Sequence, residues 1–320
     1  MSSFTRLLKA IGIRLVLGVV SLLFIAFVTF LAAELAPGDA ALQRVGEKAS
    51  RQAYLAARHE MGLDRPWPVR FTEFVVKSSH GDFGNSWLGT REPVRDILAR
   101  ALPYTIKISG IAILFASALG ILLGTFAAIN ENKGIDRACL SVSTLGVTIP
   151  NFVLGPLLVF VGNTLLQQLP ISYDPRLPQP EIYYLVIPVL IMAARPMATL
   201  TRLTRASMID TLKQEFVKLA VAKGVPPFRL YTVHALRNAI LPVVTAIGTS
   251  FGFLLTGSFI TERFYTIPGV GFYTIDAIQK RDTPVILATV VVTGAMFVFV
   301  NLIVDIALPL LDPRIRESQV

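Results

Sequence analysis

Along this chain, apolar residues run without charge for about twenty positions at a time, and such runs recur. A helix rises 1.5 Å per residue, so about 20 largely apolar residues cross the ~30 Å hydrocarbon core of a bilayer. Leu15–Ala33 is one such run and Ile108–Ile129 a second. A third lies within the stretch from Ala138 to Gln168, and a fourth, Ile182–Thr201, is broken by Arg195. Asn238–Thr261 and Val285–Val304 complete the set. The pattern predicts an all-α membrane protein with six transmembrane helices. Residues 1–34 then hold the N-terminal tail and first helix, 35–101 an extramembrane segment, and 102–308 the helical core. Residues 309–320 form a C-terminal tail. Short helices are expected at Ser50–Met61 and Val69–Lys77 within the polar segment.

Composition agrees with this reading. Hydrophobic residues make up 53% of the 320 and charged residues 16%, against about 25% charged in ordinary soluble domains. Arg6, Lys9 and Arg14 precede the first run, as they would a cleaved signal. That run exceeds the 7–15 apolar residues usual for a signal and no clean A-x-A site follows, so a retained helix is expected. The single cysteine, Cys139, leaves the redox compartment open.

The net charge of +9 raises nucleic acid as a partner, but its placement favours a membrane reading. The first fourteen residues carry three basic and no acidic side chains, and Arg202–Arg237 carries seven basic against two acidic. Between the third and fourth runs there is Arg176 alone, and between the fifth and sixth Arg263, Lys280 and Arg281. The positive-inside rule puts both termini in the cytoplasm, with Glu34–Ala101 on the outer side. That outer segment is nearly neutral, with ten basic and nine acidic residues. Its mixed charges and its aromatic residues Trp67, Phe83 and Trp87 suit a docking surface rather than a catalytic domain, with a lid packed on the bundle as the alternative.

Catalytic constellations are missing. There is no G-x-x-x-x-G-K-[ST] phosphate loop, and "VGEKAS" around Gly46 lacks its first glycine. "HEMGL" at His59 has no second histidine four residues on, and His59 and His80 form no metal-ligand cluster. Ser86 in "GNSWLG" lies outside a strand–turn–helix context. An intramembrane enzyme is disfavoured on these grounds. Ionisable groups inside the runs are scarce, which also disfavours a proton-coupled secondary carrier. Arg195 is read here as snorkelling to the cytoplasmic headgroups, with a place on a solute pathway as the alternative.

Small and polar residues collect in the third to fifth runs, beside Pro150, Pro188 and Pro242. Polar side chains in a span face protein or water rather than lipid. Ser141, Thr144, Asn151, Thr245, Thr249 and Ser250 are therefore candidates to line a translocation pathway.

The segment "EFVKLAVAKGVPPFRLYTVHALRNAILP", Glu215–Pro242, interrupts the grease with a cationic helix–turn–helix pattern. Glu215–Lys223 reads as a helix, Gly224 as its sharp end, and Pro226 and Pro227 as the first turn of a second helix. The plainer alternative is an amphipathic hairpin lying on anionic lipid.

"LAVAKG…HALRNAILP" resembles the cytoplasmic loop motif of ABC-importer permeases in its peptide/nickel version. "MGLDRPWPVRF", "GDFGNSW", "ALPYTIKIS", "TRLTRASMID", "ITERFYTIPGVGFYTIDAIQKRDTPVI" and "VNLIVDIALPLLDPRIR" resemble the same family, in the expected order, over nearly the whole chain. A generic permease loop carries Glu-Ala-Ala before the glycine, whereas Lys218, Leu219 and Ala220 stand here, as in the peptide subgroup. The resemblance implies a type I ABC-importer transmembrane fold. It implies a complex with a homologous second permease, two ABC ATPases and an extracytoplasmic solute-binding protein, in a bacterial inner membrane. ATP and Mg would be bound by the ATPases, with no cofactor in this chain. The substrates expected are di- and oligopeptides, with nickel chelates, glutathione or sugars as alternatives. Glu215, Lys218, Leu219, Ala220, Lys223, Gly224, Arg229 and Arg237 would couple to the ATPase.

Overall fold

The computed structural model describes residues 3–88, 91–165, 170, 172–174, 176 and 180–311. Among them the regular elements are helices, and one isolated bridge pairs Asn85 with Pro93. The chain divides into two compact units, Met1–Ile106 with Glu262–Val298, and Lys107–Thr261 with Phe299–Val320.

The first unit begins with α1, Ser3–Leu35, which exposes Val16, Leu17, Val20 and Phe24 among other apolar side chains. Three short helices follow: α2 (Ala40–Val45), α3 (Arg51–Glu60) and α4 (Trp67–Ser79). The last two lie where the sequence pattern expects them. Asp39 caps α2 by accepting from Ala41 N and Leu42 N, and Ser50 caps α3 by accepting from Ala53 N. Ala41, Ala57 and Met61 form a small core between these helices. Phe71 of α4 packs edge-on against Phe27 and Phe30 of α1, and Arg70 pairs with Glu34 at 2.5 Å. Burial raises the Asp39 carboxyl, but the Tyr54 hydroxyl, the capping N–H groups and Arg58 bring it to a net value below the usual range.

A long helix, α5 (Val94–Ile129), starts in this unit. Its first turns bury Val94, Ile97 and Leu98 against Ala277, Val285 and Ala288. Those partners belong to α13 (Val270–Lys280) and α14 (Thr283–Leu311), which follow the short α12 (Phe259–Phe264).

The second unit holds α6 (Gly134–Thr148), α7 (Asn151–Val159) and α8 (Glu181–Leu212). After the elbow described below comes α11 (Leu236–Gly257), whose entry turn is π-helical over Leu230–Ala235. Helix α8 is the centre of this unit, packing against α6 and α11. Close approach depends on glycine at two points. A β-carbon at Gly146 would lie 2.6 Å from the Ala194 carbonyl oxygen, and one at Gly124 2.6 Å from the Thr201 carbonyl oxygen.

The six-run expectation is met in part. Among the described residues five helices are long and apolar enough to cross a bilayer, or six if a bent pair counts as one span: Ile11–Leu35, Val94–Ile129, Glu181–Leu212, Pro227–Gly257 and Thr283–Ile306 are the five. The third run is instead a pair, Gly134–Thr148 and Asn151–Asn163, bent by 106°. The cause is local. A residue before proline is pushed out of the helical region, and Ile149 is extended at φ −86°, ψ 119° ahead of Pro150. By contrast, α8 continues through Pro188 and Pro196, both buried.

Candidate functional site: an elbow between two long helices

At Leu212 α8 ends, and the chain turns through Lys213 and Gln214 into α9, Glu215–Ala222. Gly224 sits at φ +74°, in the left-handed region where a β-carbon is strained. Its N–H donates to Val221 O at 2.9 Å and the Val225 N–H donates to Ala220 O at 3.1 Å. That pair of bonds is the Schellman closure, which satisfies carbonyls left free at a helix end. Pro227 then opens the next helical turn, α10 (Pro227–Arg229), where a missing N–H costs nothing.

The elbow closes on a small core of its own. Val217, Ala220 and Leu230 are buried there, with Leu212, Val225 and Tyr231 packed around them. A second cluster at its base joins Met208 and Ile209 to Ala128, Ala235 and Ala239. Other apolar groups are left outside: Leu219 and Val221 are each 56% exposed and Phe228 81%, with Phe216 at 41%. Lys223, Arg229 and Arg237 are exposed around them, and Lys218 pairs with Glu215 at 2.7 Å in solvent.

Two details differ from the sequence reading. Ala220 does not lie on the presented surface; at 8% exposed it fills the elbow's own core, so its small size serves internal packing. Arg229 and Arg237 stand eight residues apart, a spacing that an unbroken α-helix would bring near one face. The π turn between them changes the residues per turn, so that count does not apply.

Of the pathway candidates, Ser141, Thr144 and Asn151 are exposed and Thr245, Thr249 and Ser250 half-buried. Three of the hydroxyls donate within their own helices: Thr144 to Leu140 O at 2.7 Å, Thr245 to Leu241 O at 3.3 Å, and Thr249 to Thr245 O at 3.2 Å. Of the docking candidates, Trp67 is 41% exposed with its ring 6.4 Å from that of Phe27. Phe83 and Trp87 are half-buried and used internally, Phe83 beside the Val94–Ala288 cluster and Trp87 beside Met61. Both also line a cavity of about 440 Å³, together with Asp39, Arg58, Arg65 and Glu73. Among the described residues no group of three or more His, Cys, Asp or Glu side chains is gathered as a metal site.

Three carboxylates that the sequence pattern did not single out organise these units. Asp136 of α6 receives a two-pronged bond from Arg205 of α8, at 2.6 Å for each prong, and accepts from Asn132 N at 2.8 Å. Glu262 is fully buried; it accepts from the Thr105 hydroxyl at 2.9 Å and from Gly271 N at 2.7 Å and Phe272 N at 3.3 Å, at the N-terminus of α13. Asp282 accepts from the Ser86 hydroxyl, from Trp87 N at 2.9 Å and from Leu88 N at 3.3 Å. The sequence separations, 69, 157 and 196 residues, are why no local pattern announces them.

The sequence profile of the binding-protein-dependent transport system inner membrane components matches residues 120–317. The N-terminal profile of such membrane components matches residues 7–109. A probable peptide ABC transporter permease protein of Sinorhizobium fredii is 34% identical, over 95% of this chain and 97% of its own. A dipeptide transport system permease protein of Bacillus subtilis is 35% identical over 92% and 94%. A glutathione transport system permease protein of Salmonella typhi is 34% identical over 92% and 95%. Among solved structures, an amino acid ABC transporter with histidines covers 68% of this chain and 94% of its own, at a TM-score of 0.50 and 17% identity, a likeness of fold. The chain belongs to the binding-protein-dependent transport system inner membrane components, multi-pass permease subunits of ABC importers.

Proposed function

We propose that this permease imports di- and oligopeptides. It would do so as one of two homologous membrane subunits driven by two ATPases and supplied by an extracytoplasmic solute-binding protein. Its six spans leave both termini and the elbow in the cytoplasm and residues 35–101 outside. ATP and Mg bind to the ATPases. The pathway lies against the second permease and is lined from the third, fourth and fifth spans.

The observation that carries this reading is the elbow. It is held together by Val217, Ala220 and Leu230, yet leaves Leu219, Val221 and Phe228 to solvent. A surface of exposed apolar groups ringed by cations fits a protein groove. Docking there lets nucleotide binding bias a membrane bundle that has no phosphate loop of its own. The peptide substrate is supported by relatives named for peptide and dipeptide transport; a relative named for glutathione keeps that solute as the second reading.

Proteoliposomes carrying the full complex test both points. Uptake of a labelled dipeptide should require ATP, the ATPases and the binding protein, and glutathione should not compete. Uptake persisting without ATP or the ATPases would make the chain a secondary carrier. Preferred uptake of glutathione would replace the substrate.

A further inference from the structure

Helices α1 and α8 are both long enough to cross a bilayer, but they present different surfaces. On α1 the exposed large side chains from Ile13 to Val28 are apolar, among them Val16, Leu17, Val20 and Phe24. On α8 the exposed large apolar side chain is Ile182, in the first turn. Beyond it the exposed positions are Arg195, Thr199, Arg202, Ala206 and Asp210. Their spacings of four, three, four and four residues place them on one helical face. Four of the five are polar or charged, and the fifth is only a methyl group.

The depth of Arg195 gives this face its meaning. Glu181 at the start of α8 pairs with Lys107, within α5, at 2.5 Å, which marks a polar end of α8. Fourteen residues on, Arg195 lies about 21 Å farther along the axis, well inside a ~30 Å hydrocarbon layer. Its guanidinium has no hydrogen bond or ion pair among the described residues, while its neighbours Ala194 and Ala198 are buried. Snorkelling along lipid, the expectation from sequence, calls for an apolar path to the headgroups. Here the path begins with Thr199 and Arg202, which lipid would not solvate. From Arg195 to Asp210 this face runs some 20 Å with no large apolar side chain exposed on it, toward the end of α8 at Leu212.

We propose that Arg195, with Arg202 beyond it, is a carboxylate-binding subsite on the solute route of this permease, taking the C-terminal carboxylate of a peptide in transit. The assignment rests on the peptide-importer reading above. A guanidinium matches a carboxylate with two parallel N–H···O bonds. Two such groups about 10 Å apart let a solute leave one site for the next, as passage requires weak, repeated binding rather than one tight site.

The test uses the whole complex in proteoliposomes with Cys139→Ser as parent, Cys139 being the single cysteine. Arg195→Gln and Arg195→Cys should lower dipeptide uptake about tenfold or more, the loss of one charge-assisted contact. Arg195→Lys should restore part of it. Labelling Arg195→Cys with aminoethyl methanethiosulfonate, which returns a positive charge, should restore uptake, whereas the neutral methyl reagent should not. Val16→Cys on α1 should stay unlabelled by the charged reagent.

Unchanged uptake by Arg195→Gln would overturn the assignment, as would inaccessibility of Arg195→Cys in every nucleotide state. Loss of the second permease from purified Arg195→Gln complex would overturn it too, by making Arg195 a subunit contact. Failure of the parent to take up any peptide would overturn the peptide-substrate reading, and the subsite with it.

Discussion

Ahead of α11 in the chain, the elbow closes on apolar contacts between near neighbours in sequence, Val217, Ala220 and Leu230. Beyond α11, the segment from α12 to the start of α14 is held by buried carboxylates whose partners lie far along the chain, Glu262 with Thr105 and Asp282 with Ser86. The elbow leaves apolar groups outside and the later segment takes charged groups inside. A buried carboxylate is expensive unless its lone pairs are filled, so that segment is committed to one geometry. The elbow has few such commitments, and its exposed groups gain most when something covers them.

If that contrast is right, the largest loss of stability comes from Glu262. Glu262→Ala strips an acceptor from the Thr105 hydroxyl and from two N–H groups at the start of α13. The expected cost is about 3 kcal/mol or more, read as a lower midpoint of thermal unfolding for the purified complex. Glu262→Gln keeps one carbonyl oxygen and should fall between. A parental midpoint in Glu262→Ala would mean that the carboxylate does not hold this segment.

Asp282→Ala comes next, at about 2 kcal/mol, because two of its three partners, Trp87 and Leu88, are only half-buried and water can reach them. Protease cleavage between Gly81 and Leu88 should speed up in this variant. Cleavage unchanged there, with unfolding elsewhere, would separate Asp282 from the loop it caps.

The contrast also shows what the sequence could disclose. The elbow was legible because its signals are local: a breaker-free run from Glu215, a glycine at 224 where φ must be positive, and a proline at 227 where a helix starts. Helices α3 and α4 of the 35–101 segment were legible for the same reason, whereas α2 and the start of α5 at Val94 were not. The bend at Ile149–Pro150 was carried by one dipeptide inside a long apolar stretch, and hydropathy alone reads through it. Glu262, Asp282 and Asp136 were not legible, since each is explained by a partner far along the chain. The burial of Ala220 was not legible either, because an alanine carries almost no signal of which way it faces.

Gly224→Val should cost about 1–2 kcal/mol locally, the penalty of a β-carbon at φ +74°. No atom outside its neighbours lies within 4 Å of that position, so the cost is backbone strain rather than collision. Hydrogen exchange should quicken in Glu215–Ala222 and not in the helices on either side. The complex should reach the membrane with its ATPases held more weakly. Protection unchanged in α9 would show that the Schellman closure does not set the elbow.

The smallest stability effect should come from Leu219→Ser and Phe228→Ser, and the contrast depends on them most. Leu219 is 56% exposed and Phe228 81%, so neither is packed well enough for its loss to leave a cavity. Surface changes of this kind stay within about 0.5 kcal/mol, and the unfolding midpoint of the isolated permease should not move. If a partner covers this surface, though, the same side chains become its buried anchors, where truncation costs about 2 kcal/mol or more. That is roughly a thirtyfold loss of affinity, visible as ATPase subunits lost during purification and as transport lost with them. The effect should therefore appear only in the assembled transporter. Full retention of the ATPases by the double variant would mean that these groups rest on lipid instead, and the elbow would be a membrane-surface hairpin.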